Sequence, residues 1–159
     1  MPAFRVGSGF DVHPFVAGRR LVLGGELIEY PLGLQGHSDA DVVLHALCDA
    51  LLGAVAKGDI GRHFPPSDQQ FKDVSSTLLL NRVVEILRSD GWALVNADIT
   101  IICEQPKIAP YVDKMRANIA RVCRIDDDAV SIKATTTERL GFTGREEGIA
   151  AMAVALVQR

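Results

Sequence analysis

Hydrophobic and polar residues alternate with a period of two over residues 94–103 and 131–137, and this alternation predicts two β-strands. Residues 4–13 are rich in glycine but extended in character, so they predict a further strand that leads into a loop. Two short apolar runs, residues 21–23 and 26–30, are separated by a pair of glycines, which is typical of a β-hairpin. The N-terminal part of the chain is therefore expected to be rich in β-structure.

Apolar residues recur at helical spacing in three other stretches, which predict α-helices over residues 38–57, 76–89 and 110–123. The first helix is expected to begin at Ser38, because Ser38 followed by Asp41 resembles a capping box with aspartate in place of the usual glutamate. The second helix is closed by an Asp-Gly pair, which is a common helix end. Helices are thus expected to alternate with the strands.

His45 occupies an unusual position in the first predicted helix. The apolar face of that helix is formed by Val43, Leu44, Leu47, Ala50, Leu51 and Ala54. At 100° per residue His45 points to the opposite side, and Asp41 and Asp49 lie four residues before and after it. A histidine of the core should lie on the apolar face, so its position indicates a functional role.

Two segments are harder to interpret. Residues 58–68 are predicted to be a loop by their glycine and proline content. Residues 147–157 are ambiguous, because their alanines favour a helix whereas their unbroken apolar run suits a buried strand. The order of elements nevertheless predicts an α+β fold, a sheet with helices on one face, in a single domain over residues 1–159.

Composition narrows the class of protein. Hydrophobic residues make up 48% and charged residues 23% of the 159 residues, as in a folded globular protein with a core of its own. A net charge of -3 and a pI near 5.8 give no general attraction to nucleic acid or to anionic lipid. Any bound anion must therefore be held by a local site.

The cysteines and the first residues of the chain indicate in which cellular compartment the protein is expected. Cys48, Cys103 and Cys123 are odd in number, widely spaced and without a C-x-x-C pair, which argues against a disulfide framework or a thiolate zinc site. Residues 1–5 lack a basic segment followed by an apolar run, and no apolar stretch approaches membrane-spanning length. We therefore expect a cytoplasmic protein that does not enter a membrane.

Asp11, His13 and His45 are candidate ligands of a divalent metal such as zinc. Asp11 and His13 share one face of an extended segment, because side chains alternate along a strand. With one imidazole from the helix they would form a three-ligand site with an open position, as in catalytic zinc centres. Asp41 or Asp49 could then orient the ring of His45. Alternatively, Asp11 caps a turn and His13 is an exposed loop histidine.

Two patterns concern phosphate binding. His37 and Ser38 offer an imidazole, a hydroxyl and free backbone N–H groups at a helix start, which suits an anion, although an ordinary serine cap with His37 in solvent would look the same. Gly7 and Gly9 do not form a dinucleotide-binding motif, because the third glycine of G-x-G-x-x-G is replaced by Val12 and no helix follows.

Two C-terminal tracts carry polar groups but are weak signals by themselves. Residues 133–139 combine hydroxyls, a carboxylate and cations, yet threonines in a strand are usually β-formers. Residues 104–107 form a tight turn whose backbone amides could contact a base or a phosphate, or could simply turn the chain. Neither tract predicts a ligand without further support.

Taken together, these motifs closely resemble the 2-C-methyl-D-erythritol 2,4-cyclodiphosphate synthases of the non-mevalonate isoprenoid pathway. The resemblance covers essentially the whole chain and several long motifs in the right order. They are G-x-G-x-D-x-H at 7–13, GHSDADVVLHALCDALLGA at 36–54, GDIGRHFP at 58–65, TIICEQPK at 100–107 and KATTTERLGFTGREEGIA at 133–150.

This resemblance implies an activity and its cofactors. The family converts 4-diphosphocytidyl-2-C-methyl-D-erythritol 2-phosphate into the cyclic diphosphate and releases CMP. By motif position, Asp11, His13 and His45 would bind Zn²⁺, one per subunit. Glu138 would help to hold a second divalent ion, Mg²⁺ or Mn²⁺, between the two phosphates.

The resemblance also implies substrate contacts. His37 would polarise the reacting phosphate beside Ser38, and Thr136 would act on the cytidyl side. The methylerythritol diphosphate would contact Asp11, Val12, His13, His37, Ser38, Asp59, Ile60 and Gly61, under a closing loop formed by Phe64, Pro65, Pro66, Ser67 and Asp68. The cytidine side would be formed by Cys103, Glu104, Gln105, Pro106, Lys107, Ile108, Ala109, Thr135, Thr136, Thr137 and Glu138.

The fold and assembly implied by the resemblance are a ferredoxin-like α+β sandwich and a homotrimer with active sites between subunits. The sandwich would make residues 147–157 a strand. Phe142, Arg145 and Glu147 would lie near the threefold axis, where an isoprenoid diphosphate could bind. Pro66, Ala40 and Glu146 depart from common family residues, and Glu146 adds negative charge near that axis.

Two other functions fit the same residues. In a zinc phosphohydrolase, water would replace the internal phosphate as the nucleophile and the products would be linear. In an oligomeric binding module, the metal would be structural and the axial cavity would hold a prenyl diphosphate. The open position left by Asp11, His13 and His45 disfavours the binding module, since structural zinc sites are closed.

Overall fold

A five-stranded mixed sheet forms one layer of the structure, a computed structural model that describes residues 1–159. The strands are β1 Phe4–Val16, β2 Leu21–Leu23, β3 Glu26–Ile28, β4 Gly33–Leu34, β5 Ala93–Ile102, β6 Val130–Thr135 and β7 Gly148–Gln158. The helices are α1 Val42–Ala54, α2 Ile60–His63, α3 Ser76–Ser89, α4 Val112–Cys123 and α5 Gly141–Gly144. The large sheet has the order β4-β1-β7-β5-β6, and β2 and β3 form a separate hairpin.

The helices α1, α3 and α4 cover one face of this sheet, which confirms the predicted α+β layering. Inward residues of the strands, such as Ile99 on β5 and Ile132 on β6, join one continuous apolar core with these helices. The opposite face is open and apolar, with Val6 66% and Met152 51% exposed. None of the helices combines the length and the apolar character needed to span a bilayer.

The connectivity differs from the ferredoxin-like arrangement that the resemblance implied. A ferredoxin-like unit follows the order β-α-β-β-α-β, whereas the long elements here follow β-α-α-β-α-β-β. The reason lies in β5 and β6, which pair in parallel and so need a crossover helix between them, here α4. The layering was predicted correctly, but the ferredoxin-like order of helices and strands was wrong.

The ambiguous segment near the C-terminus is strand β7. It lies in the middle of the sheet and pairs antiparallel with both β1 and β5 over nearly its whole length. Its inward alanines, including Ala151, Ala153 and Ala155, are buried beneath α1. Pairing on both edges and close contact with a helix thus override the helical preference of alanine.

The strand β1 is longer than predicted. We expected a loop at Pro14, but β1 continues to Val16, and Pro14 pairs with Gly148 near the end of the β1–β7 ladder. Pro14 needs no ladder donor, and its carbonyl accepts a hydrogen bond from the Gln35 N–H at 2.9 Å. Proline is tolerated there because its missing N–H is not required.

Helix α1 begins at Val42 and not at Ser38. The backbone of Ala40 has a φ of 58°, a left-handed conformation that a helix running through residues 38–41 cannot contain. The cap is Asp41, whose carboxylate accepts the Leu44 N–H at 3.1 Å and also the N–H groups of Gly24 and Gly25 at 2.9 and 2.7 Å. Asp41 therefore joins the start of α1 to the turn of the β2–β3 hairpin.

Burial raises the pKa of the Asp41 carboxyl to about 6, with a smaller contribution from the charge of Asp39. Lowering the pH from about 6 to about 4 is therefore expected to stabilise the wild-type protein relative to Asp41→Asn. Folded Asp41 takes up its proton below about pH 6, whereas in the unfolded chain the pKa is about 3.9. The relative gain in the free energy of unfolding is at most roughly 3 kcal/mol.

Urea unfolding of both proteins at several pH values between about 4 and 7 measures this difference. The two proteins share every other titrating group, so those contributions cancel. A wild-type advantage that grows toward neutral pH would contradict the prediction.

Candidate metal centre and active-site cleft

Three donor atoms from β1 and α1 converge at one point. Asp11 and His13 lie on the inward face of β1, as the alternation predicted, and Val12 lies on the outward face. The Oδ2 atom of Asp11 is 2.9 Å from His13 Nε2 and 3.1 Å from His45 Nδ1, and the two ring nitrogens are 3.1 Å apart. The predicted triad is thus brought together by the fold.

This geometry fits a small divalent ion. The ligands of tetrahedral zinc, with bonds of about 2.0–2.1 Å, lie roughly 3.3 Å from one another. The three observed separations are slightly shorter, so a small outward shift of each group would accommodate the ion. One carboxylate and two imidazoles occupy three tetrahedral positions and leave the fourth for a water or a substrate oxygen.

Asp11 and His13 stabilise each other's charged forms. Burial opposes ionisation of Asp11, but hydrogen bonds and positive charge from His13 and His45 bring the pKa of its carboxyl well below the usual value. Burial likewise opposes protonation of His13, yet the adjacent Asp11 carboxylate raises the pKa of its imidazole. When both histidines are neutral, the triad therefore carries the negative charge of Asp11. This is the protonation state that binds a cation.

The ring of His13 is held in one tautomer. Its Nδ1 lies 2.7 Å from the carbonyl oxygen of Gln35 and therefore donates a hydrogen bond to it. Since a neutral imidazole carries only one N–H, Nε2 presents its lone pair to the triad. A hydrogen bond of this kind on the far nitrogen is usual for a histidine that binds a metal.

The surroundings of His45 differ from those predicted. The predicted second-sphere role of Asp41 and Asp49 was wrong, because Asp41 caps α1 and Asp49 accepts the Ile60 N–H at 2.8 Å. Instead, His45 Nε2 lies 2.9 Å from Ser76 Oγ and 3.0 Å from Ser38 Oγ. His45 is also buried, because α1 packs between the sheet and α3 and is covered on nearly every side.

A cleft of about 290 Å³ opens beside the triad. It is lined by Asp11, His13, His37, Ser38, His45, Ile60, Gly61, Phe64, Pro66, Phe71 and Leu79. His37 is held there by a contact of 3.3 Å between its Nε2 and the carbonyl oxygen of Asp68. Phe71 and Leu79 were not predicted as site residues, since an apolar side chain that walls a cleft has the same sequence pattern as one in the core.

Arg19 fixes the loop that carries His37. Its guanidinium donates to the carbonyl of Gly36 at 2.6 Å and also to the carbonyl of Ser38, on either side of His37. His37 and Ser38 therefore lie on a loop that Arg19 holds in place before α1. The sequence had predicted that they lie at the start of the helix. Free helical N–H groups at Ser38 are accordingly not part of this site.

The segment predicted to be a loop over residues 58–68 contains the short helix α2. Asp59 caps α2 by accepting the Arg62 N–H at 3.0 Å. Asp68 accepts the backbone N–H of Gln70 at 3.0 Å, and this bond, with one from the Gln70 side chain, lowers the pKa of its carboxyl. Both carboxylates thus serve local turns, and with Pro65 and Ser67 they stand outside the residues that line the cleft.

A second cleft of about 250 Å³ lies at the ends of β5 and β6. It is lined by Cys103, Glu104, Pro106, Lys107, Ile108, Ala109, Ala134, Thr135 and Thr136, which the sequence predicted except for Ala134. Burial raises the pKa of the Cys103 thiol to about 11, so that group is neutral near pH 7. This cleft has no lining residue in common with the first.

Glu104 organises the loop after β6. One of its carboxylate oxygens accepts the N–H groups of Thr137 and Arg139 at 3.2 and 3.1 Å. Glu138 lies between these two residues in a left-handed conformation, with a φ of 53°. Within one chain Glu138 is not part of the Asp11 triad.

Phe142 and Arg145 belong to α5 and its end. Phe142 is 40% exposed, and the guanidinium of Arg145 pairs with both carboxylate oxygens of Glu147 at 3.1 and 3.3 Å. Glu146 also has a positive φ, of 59°. Neither Phe142 nor Arg145 lines one of the two clefts described above.

Comparisons with known proteins match nearly the whole chain. The family model described as the YgbB family matches residues 4–158. A 2-C-methyl-D-erythritol 2,4-cyclodiphosphate synthase from Syntrophomonas wolfei is 58% identical over 155 residues, covering 98% of this chain and 99% of its own length. The synthase of the same name from Geobacillus kaustophilus is 59% identical over 156 residues, with coverage of 98% and 99%.

Solved structures share the fold. The bifunctional IspDF from Campylobacter jejuni superposes with a TM-score of 0.96 and 40% identity, over 99% of this chain and 43% of that longer chain. A CDP complex of IspF from Plasmodium falciparum superposes with a TM-score of 0.85 and 30% identity, over 98% and 96% of the two chains.

The fold and the triad define an α+β protein with an open, three-ligand metal centre of the type found in metalloenzymes. Within that class, the chain belongs to the YgbB family, as the match over residues 4–158 and the relatives above establish.

Proposed function

We propose that the chain is a metal-dependent 2-C-methyl-D-erythritol 2,4-cyclodiphosphate synthase of the non-mevalonate isoprenoid pathway. It converts 4-diphosphocytidyl-2-C-methyl-D-erythritol 2-phosphate into the cyclic diphosphate and CMP. Identity of 58% over nearly full length to a synthase of that name supports this activity. The observation that carries it in this chain is the convergence of Asp11, His13 and His45 beside His37 in one cleft.

The reaction needs no nucleophile from the protein. An oxygen of the substrate's 2-phosphate attacks the β-phosphorus, one P–O bond forms, and the bond from that phosphorus to CMP breaks. Catalysis is therefore a matter of holding the two phosphates together and neutralising their charge. A bound Zn²⁺ on the triad would supply Lewis acidity toward a β-phosphate oxygen at the fourth position.

We expect groups around the triad to hold the methylerythritol diphosphate. The imidazole of His37 lines the cleft on the loop held by Arg19, where it would polarise the attacking phosphate. Ile60, Gly61 and Phe64 shape the wall opposite. Asp59 and Asp68 contact the sugar hydroxyls once the loop over residues 64–68 closes. Pro66 offers an apolar surface there and no polar contact of its side chain.

The second cleft holds the cytidine. Its walls combine the turn of residues 103–109 with the threonines at the end of β6. Backbone N–H and C=O groups of this turn can form hydrogen bonds with the edge of a pyrimidine base. Thr136 would contact the diphosphate on the cytidyl side, and Glu138 would hold Mg²⁺ or Mn²⁺, which would neutralise charge on the phosphates. The CDP complex of a relative supports a cytidine nucleotide as the ligand class.

The active enzyme is a homotrimer whose sites lie between subunits. The metal-side and cytidine-side clefts share no lining residue within a chain, so one substrate can bridge them across an interface. The open sheet face supplies an interface, since Val6, Phe10, Met152 and Val154 together expose a large apolar surface. Three free, buried cysteines are consistent with assembly in the cytoplasm.

An isoprenoid diphosphate binds on the threefold axis, near Phe142 and Arg145. The exposed ring of Phe142 suits a prenyl chain, and the Arg145 guanidinium suits a diphosphate. Arg145 is already paired with Glu147, and Glu146 adds a further negative charge. Binding at this place is therefore weaker than binding of the substrate.

Incubation of the purified protein with the cytidyl substrate, Zn²⁺ and Mg²⁺, followed by phosphorus NMR, tests the activity. CMP and a cyclic diphosphate are expected in equal amounts, without inorganic phosphate. Linear phosphate products would instead identify a zinc phosphohydrolase. Absence of turnover, with tight prenyl diphosphate binding, would identify a binding module.

A further inference from the structure

The far side of the His45 ring faces a buried pair of hydroxyls and not solvent. Ser76 is the first residue of α3 and is fully buried, and its Oγ lies 2.9 Å from His45 Nε2. Ser38 Oγ lies 3.0 Å from the same nitrogen. Buried polar atoms must be paired, so the proton arrangement among these groups is determined by their other partners.

Asp39 determines that arrangement. Its Oδ1 accepts the hydroxyl proton of Ser76 and the Asp41 N–H at 3.1 Å, and its Oδ2 accepts the Ser76 N–H at 3.1 Å. A carboxylate surrounded by donors acts only as an acceptor. The single proton of the Ser76 hydroxyl is therefore used by Asp39, and Ser76 Oγ can only accept a hydrogen bond from His45.

Acceptance by Ser76 favours a ring proton on His45 Nε2 when a cation occupies the triad. Since a neutral imidazole carries one N–H, Nδ1 then gives its lone pair to the cation held with Asp11 and His13, whereas without a cation the Asp11 carboxylate favours a proton on Nδ1. The His45 ring thus uses the nitrogen opposite to that of His13, which presents Nε2. The two rings reach one point from different elements only if each is held in its own tautomer.

We propose that Asp39 and Ser76 form a positioning relay that fixes the His45 tautomer, so that Nδ1 and not Nε2 binds the metal ion. This inference rests on the proposed metal-dependent function. Asp39 and Ser76 touch neither metal nor substrate, and they act only through His45. Hydrogen-bonded partners of this kind typically change metal affinity by about 10- to 100-fold when they are removed.

Ser38 sets the size of the expected effect. Its hydroxyl remains near His45 Nε2 when Ser76 is replaced, and it lies 3.4 Å from Ser76 Oγ. It can therefore accept part of the ring hydrogen bond in a Ser76→Ala protein. We accordingly expect a loss near the lower end of the range, about 10-fold in zinc affinity.

The test compares Ser76→Ala with Ser75→Ala. Ser75 is the cap of α3, accepting the Thr77 N–H at 3.3 Å, and it does not contact His45. Zinc dissociation constants come from competition with a chromogenic chelator at fixed pH, after circular dichroism has shown that each protein is folded. Ser76→Ala is expected to bind zinc about 10-fold more weakly than wild type, and Ser75→Ala within about twofold.

Nitrogen NMR of histidine-labelled, zinc-loaded protein gives a readout that activity does not influence. Wild type is expected to show a His45 Nε2–H that exchanges slowly with solvent, and Ser76→Ala a weaker or faster-exchanging one. Asp39→Asn should have the same effect, since an amide cannot accept both Ser76 donors. A Ser76→Ala protein with wild-type zinc affinity and a wild-type Nε2–H signal would overturn the relay.

Equal loss of zinc affinity in Ser75→Ala would also overturn the relay, because it would assign the effect to the start of α3. These outcomes are distinguishable from failure of the proposed function. Wild-type protein that binds no zinc would overturn both conclusions, whereas wild type that binds zinc without forming the cyclic product would overturn only the activity.

Discussion

Asp11→Asn is expected to reduce turnover at least about 10³-fold, equivalent to roughly 4 kcal/mol of transition-state stabilisation, while the protein stays folded. Asparagine has nearly the shape of aspartate, so the packing between β1 and α1 is retained. Its neutral amide is a poor zinc ligand, and its N–H groups would face the lone pairs of His13 and His45. Steady-state kinetics and zinc content per chain measure the two consequences.

Asp113→Asn is the matched control for this variant. Asp113 is 94% exposed and pairs only with Arg116, at 3.6 Å, so its replacement should leave both turnover and zinc content unchanged. Retention of more than about a tenth of wild-type turnover by Asp11→Asn would contradict a role for the triad in the reaction.

Gly9→Ala is expected to lower the free energy of unfolding by at least about 3 kcal/mol, a large share of the roughly 5–15 kcal/mol that is typical of a domain. A Cβ atom on Gly9 would lie 1.9 Å from the backbone oxygen of Ala46 and 2.8 Å from the backbone nitrogen of Ala50. Neither atom can move without displacing α1, because the sheet and α3 confine that helix. Thermal unfolding followed by circular dichroism measures the loss.

Gly53→Ala on α1 is the control, because a Cβ there would approach nothing closer than 3.9 Å. Alanine favours a helix, so this variant should be as stable as wild type or more stable by up to about 1 kcal/mol. If Gly9→Ala and Gly53→Ala had the same stability, close contact between β1 and α1 would not be what requires glycine at position 9.

Local patterns were sufficient for much of the fold. Helix α3 was predicted with its observed bounds, because it has a clear amphipathic period and turn residues at both ends. The bounds of α1 were wrong, since the left-handed backbone at Ala40 and the two N–H donors of the β2–β3 hairpin are tertiary features. The strand β7 could not be distinguished from a helix, because its outward residues Met152 and Val154 are apolar like its inward alanines, so no polar alternation marks the strand.

In the candidate site, too, local patterns predicted some residues, whereas tertiary contacts determined the others. Asp11 and His13 were predictable from strand alternation, and His45 from its spacing on a helix. The partner of His45 was not predictable, because Ser76 and the Asp39 that binds it are 37 residues apart and meet only in the fold, where the loop before α1 is hydrogen-bonded to residues 73–74. The sequence offers neighbouring acids such as Asp41 and Asp49 instead, and the fold assigns both to backbone N–H groups.

Close contact between Gly9 on β1 and the backbone of α1 determines how far apart the candidate metal ligands lie. Asp11 and His13 follow Gly9 on one element, and His45 directly precedes Ala46, whose carbonyl is the atom closest to a Gly9 Cβ. The ligand spacing is therefore set by two main chains in direct contact, with no intervening side chain whose rotamer could alter it. We therefore expect substitutions elsewhere in the core to lower thermal stability without changing which cation the protein selects.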